Sequence, residues 1–130
     1  MGVAISGWRL ARSVSVLGQL GVVSGTALDI LLARRLQDGD PDGDIRRAVA
    51  AFPVPAVAQW VLDAYYVPGG LDADAMYRPV PRHTVASSSR LVELTVLANF
   101  VEVWLAKEGH PGRVGINYLK KIDLPLPASM

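Results

Sequence analysis

Between Arg9 and Ser24 the chain reads as a helix that runs almost directly into a short apolar strand, and that order sets the frame for the rest of the chain. Residues 9–17 place Leu10, Val14 and Leu17 on one stripe at helical spacing, and Gly18 stands where a left-handed C-cap is needed. Residues 20–24 (LGVVS) follow at once, too short and too apolar for a helix. Such a run predicts a strand buried on both faces, as in a parallel sheet covered by helices. After the turn at Gly25, Thr26 and Asp29 have the spacing of a capping box, with Asp29 in place of the usual Glu, so a second helix leaves directly from the carboxyl end of the strand. In α/β folds that end is where ligands sit.

Composition narrows the functional classes. Thirteen Lys and Arg against twelve Asp and Glu leave a net charge of +1, and no basic patch is interleaved with aromatics, so nothing favours nucleic acid or an acidic membrane surface. Cys is absent, which excludes disulfides, thiolate catalysis and Cys-based zinc sites while leaving the compartment open. The apolar residues 2–8 are followed by Arg9 and Arg12 and lack the layout of a signal peptide, and no later segment approaches a membrane span. Cytoplasm is the default expectation. At 130 residues the chain suits one domain, well short of the roughly 250 residues of a complete (β/α)8 barrel.

The second helix is expected over residues 27–36, with Leu28, Leu31, Leu32 and Leu36 on its apolar side and Arg34 and Arg35 in its last turn, where they suit the helix dipole. Residues 38–44 (DGDPDGD) resemble the start of a calcium loop, with Gly43 in sixth place. Val49, however, occupies the twelfth position, where a bidentate Glu is required. The stretch is therefore read as a solvated turn whose Asp44 caps a short helix over residues 45–51. Pro55 suits the first turn of another helix, on which Trp60, Val61, Ala64 and Tyr65 are read as packing residues. Residues 71–87 show no period and read as a long surface excursion; the lone His83 within it does not make a catalytic centre.

Ser88 or Ser89 is placed to cap the longest helix, over residues 90–107, whose apolar set (Leu91, Leu94, Ala98, Val101, Leu105) is widened by Val92, Val96, Phe100, Val103 and Trp104. A face that broad predicts burial against both a sheet and a neighbouring helix. Glu93 and Glu102 lie about 13 Å apart along the axis, too far to share a proton, and are read as solvated. Residues 113–117 form a second parallel strand with Asn117 at its carboxyl end. There the amide is placed either to contact a heterocycle or to make a local turn bond.

Residues 1–11 (MGVAISGWRLA), 18–25 (GQLGVVSG) and 106–109 (AKEG) leading to 114–125 (VGINYLKKIDLP) resemble the amino-terminal part of the nitronate monooxygenase (2-nitropropane dioxygenase-like) flavoproteins, and enoyl-reductase members of the same FMN-binding barrel group are also similar. The resemblance spans nearly the whole chain, with residues 36–89 as a helical and loop insertion before the third barrel strand. It implies an α/β fold that is part of a (β/α)8 TIM barrel, non-covalent FMN, and oxidation of alkyl nitronates with O2. Met1 and Gly2 match the family's loop beneath the flavin, and Asn117 matches an Asn that contacts it.

The departures carry expectations too. The family's first strand would precede Met1, and its catalytic His and phosphate-holding glycine loops would follow Met130; neither His83 nor His110 matches that His. The chain is therefore expected to be an incomplete barrel domain, inactive alone, partly unfolded or self-associating through open strand edges, and no catalytic residue is assigned in it. The complete enzyme would act on a small-molecule substrate. The rival reading is a non-enzymatic interaction or scaffold domain that docks a partner on the broad face of residues 91–105.

Overall fold

The computed structural model describes residues 6–80 and 88–117. Its elements, in chain order, are α1 (Trp8–Val16), β1 (Gly21–Ser24), α2 (Leu28–Gln37), α3 (Asp44–Ala50), α4 (Pro55–Tyr65), α5 (Ser89–Lys107) and β2 (Val114–Asn117). The strands pair in parallel, Gly21 opposite Val114 through Ser24 opposite Asn117. The described residues thus form an α/β unit of five helices and one two-stranded parallel sheet.

Helix α5 is the axis of the unit and touches every other element. Its expected apolar set, Leu91, Leu94, Ala98, Val101 and Leu105, is fully buried, and the Ser88 side chain caps it by accepting from Leu91 N. Around it, α2 contributes Leu28, Leu32 and Leu36, α3 contributes Ile45, Ala48 and Val49, and α4 contributes Ala58, Val61 and Tyr65. Pro55 opens α4 as expected. Gly18 takes a positive φ after α1, ending that helix in the left-handed conformation.

Helix α1 is rotated from the expected orientation. Leu10 and Leu17 are exposed, and the buried residues are Ala11 and Ser15. Close packing decides this. A Cβ on Gly21 would collide with the Ala11 carbonyl, and one on Gly112 would collide with Ser15. The backbones of α1, β1 and the loop before β2 therefore meet through small residues, where leucines would hold them apart. Ser15 Oγ secures the contact by donating to the Arg113 carbonyl at 2.7 Å.

Three other expectations are corrected. β1 is not buried on both faces, because Val23 is inaccessible while Val22 is 38% exposed on the face away from the helices. Thr26 and Asp29 do not form a capping box: the N-cap of α2 is Ala27, in the left-handed region at φ 58°, and the Thr26 hydroxyl has no partner. Asp44 lies inside α3, whose N-cap residue is Gly43 and whose capping carboxylate is that of Asp40. Asp40 accepts from Ile45 N at 3.1 Å and Arg46 N at 2.9 Å, and pairs with the Arg46 guanidinium at 3.1 Å. With a carboxylate of this loop committed to the helix end, the calcium resemblance has lost a ligand, and no three metal-ligating side chains cluster among the described residues.

Candidate functional site at the carboxyl ends of the strands

Alternation along the strands sorts their side chains. Val23, Val114 and Ile116 pack against the helical core. Val22 and Ser24 on β1, with Gly115 and Asn117 on β2, share the opposite face. The register places Ser24 next to Asn117 at the carboxyl end, where Gly25 N donates to the Asn117 carbonyl at 2.7 Å and extends the pairing by one step. On the other edge of β1, Ser6 O accepts from Ser24 N at 2.8 Å and Ser6 Oγ donates to Val22 O at 2.8 Å. The chain entering α1 therefore starts beside β1, so that β1 lies between it and β2.

Of the cofactor contacts expected from sequence, Asn117 is exposed at this end with its side-chain amide free of hydrogen bonds among the described residues. A local side-chain turn bond would run to the residues after Asn117, which lie outside the described residues. Met1 and Gly2 lie outside the described residues, as does His83. Sequence reasoning missed Ser24, which is 5% exposed with no partner for its hydroxyl, and Thr26, whose hydroxyl is also buried and unpaired. Both stand in the strand-to-helix turn that the sequence marks as a place to look for ligands, but their burial is a property of the folded chain.

Several other polar residues hold the scaffold. Glu102, read as solvated, is 3% exposed; it accepts from Trp8 N at 2.9 Å and pairs with Arg35. Glu93 accepts from Trp60 Nε1 at 2.6 Å. His110 closes the turn between α5 and β2, its ring bonded to Ala106 O at 2.6 Å and to Gly112 N at 3.1 Å. Arg47 forks onto both oxygens of Glu108 at 2.9 Å and reaches Asp44 at 3.0 Å, and these hydrogen bonds hold its guanidinium more firmly protonated than usual. Part of the expected excursion is also pinned: fully buried Gln37 accepts from Arg78 N at 2.6 Å, and Leu71 N donates to the Gln37 carbonyl at 2.9 Å.

An apolar groove of about 830 Å³ lies between α5 and β2, lined by Phe52, Val96, Phe100, Val103, Trp104 and Ile116. The Asn99 amide also borders it, donating to Thr95 O at 2.8 Å while its Oδ1 is unpaired. Lys107 and Glu108 border it as well, but Lys107 donates to the Gly112 carbonyl and Glu108 pairs with Arg47. The strand ends carry the better chemical case. No helix among the described residues is long and apolar enough to cross a membrane. No family model, curated protein or solved structure matches the chain.

Proposed function

We propose that this chain forms part of an FMN-dependent oxidoreductase of the nitronate monooxygenase type, built on a (β/α)8 barrel and acting in the cytoplasm on a small alkyl nitronate. The observation that carries the reading is the free Asn117 amide at the carboxyl end of one parallel strand, beside the unpaired hydroxyl of Ser24 on its neighbour. Polar groups without protein partners at that end of a parallel sheet are what a planar heterocycle needs for orientation. The flavin, when bound, supplies the redox chemistry, and the protein supplies position and polarity. Met1 and Gly2 belong to the same proposed pocket through the family resemblance. In this reading the four helices between β1 and β2 are an elaborated crossover between adjacent barrel strands.

The test is a titration with FMN, followed by flavin fluorescence, of the complete barrel enzyme and of its Asn117→Ala variant. An amide hydrogen bond contributes about 0.5 to 1.5 kcal/mol net, and an unpaired buried partner costs about 1 to 3. The variant should therefore bind roughly tenfold more weakly with its fold intact. Unchanged affinity in the variant would remove Asn117 from the site, and absence of flavin binding would overturn the reading.

The groove beside α5 favours a second reading, in which a partner docks on Val96, Phe100, Val103 and Trp104 without any enzymatic role. That protein would purify without flavin absorbance and would ignore added FMN.

A further inference from the structure

A buried serine hydroxyl seldom lacks a partner, because backbone carbonyls are nearby and an unmade bond costs free energy. The Ser24 hydroxyl, on a side chain only 5% exposed, nevertheless has none. We propose that Ser24 is itself a ligand-binding group: with the Asn117 amide one strand away, it forms a two-point polar edge for a neutral planar ring that presents a carbonyl beside an N–H. The inference rests on the flavin reading and narrows it to the imide edge of the ring.

Four features point to that chemistry. Ser24 and Asn117 are register partners on one face, and adjacent strands are about 4.8 Å apart, so two neighbouring polar atoms of one ring can meet both. Hydroxyl and amide can each donate and accept, which suits an edge of alternating carbonyl and N–H. The preceding residue on that face of β2 is Gly115, where a Cβ would meet only Leu20 Cδ1 at 3.9 Å. Packing does not demand glycine there, and the missing side chain leaves room for a flat group. Finally, the turn after Ser24 leads to Asp29, a buried side chain in the first turn of α2. A carboxylate at that helix end disfavours an anionic ligand group and favours a neutral one.

The test uses riboflavin, which has the imide edge but no phosphate, and N3-methylriboflavin, in which that edge is blocked. Fluorescence titrations of the full chain should show riboflavin preferred by roughly tenfold, the worth of one good hydrogen bond. Ser24→Ala should abolish the preference while its melting temperature stays equal to or above the parent's, since the hydroxyl bonds to nothing in the protein. A preference that survives in Ser24→Ala overturns the proposal while leaving flavin binding intact. So does a melting temperature several degrees lower, which would make Ser24 a structural residue. Lumazine carries the same edge without the flavin ring system. Ser24-dependent lumazine binding without riboflavin binding would uphold the polar edge and overturn the flavin reading. If none of the three rings binds, both are overturned.

Discussion

Removing the Glu102 carboxylate is the most demanding test of how this unit holds together. Glu102 projects from the carboxyl-terminal third of α5, 3% exposed, and joins the first turn of α1 to the last turn of α2 by accepting from Trp8 N at 2.9 Å and pairing with Arg35. Glu102→Ala leaves the Trp8 N–H without its charged acceptor, a loss of about 1.5 to 3 kcal/mol. It also strands Arg35. Breaking a wholly buried pair costs about 3 to 5 kcal/mol, but the Arg35 side chain is 30% exposed and recovers part of its hydration, which places the total near 3 kcal/mol. With unfolding entropies of about 2.1 cal/mol/K per residue, that lowers the melting temperature by about 10 °C. Thermal and urea melts followed by circular dichroism read the change directly. Glu102→Gln, which keeps an acceptor for Trp8, should lose about half as much. A double-mutant cycle with Arg35→Met isolates the pair. A Glu102→Ala protein within about 0.5 kcal/mol of the parent would refute the reasoning, because a truly buried, doubly engaged carboxylate cannot be removed so cheaply.

Three further outcomes follow from the packing. Gly21→Ala should destabilise the fold by about 3 kcal/mol or more in a urea melt, because the new methyl group meets the Ala11 carbonyl and must push α1 off the sheet. Asp40→Ala should cost about 2 kcal/mol by the same assay, since Asp40 serves two N–H groups at the start of α3 and the Arg46 guanidinium together, whereas Asp44→Ala should cost less. Burial, and then the negative charge of Asp29, raise the Tyr65 pKa in the folded protein above its usual value near 10. The stability linked to Tyr65 is therefore complete below about pH 10 and is lost as the pH rises through the folded value, and melts of Tyr65→Phe across that range should show a shallower alkaline decline.

The order and type of the elements were legible because punctuation and periodicity agree: Gly18 after α1, Pro55 at the start of α4, Ser88 before α5 and Gly109 after it are signals with local physical causes. Orientation was harder. The leucines of α1 advertise an apolar face, yet Ala11 and Ser15 turn inward because Gly21 in β1 and Gly112 in the loop before β2 open a close approach, and that fact lies outside the helix's own sequence. Asp40 could not be told from Asp44 as the cap without knowing that Gly43 adopts φ 73° and displaces the helix start. Glu102 looked solvated because its partners, Trp8 and Arg35, are 94 and 67 residues away. At the strand ends Asn117 was visible from its position after an apolar run, while Ser24 shows its character only as an unpaired hydroxyl in a folded site.

The parallel pairing of β1 with β2 has a consequence for how the chain comes off the ribosome. Gly21 must wait for Val114, and the surfaces that α1, α2, α3 and α4 turn toward α5 must wait for that helix, although α1 meets β1, and α2, α3 and α4 meet one another, without it. Until then the faces of α1, α2, α3 and α4 that pack on α5 stay uncovered. Closing the loop from β1 to β2 carries an entropic cost that grows only slowly with its size, but the contacts that offset it arrive together and late. Pairing across so long a separation slows folding.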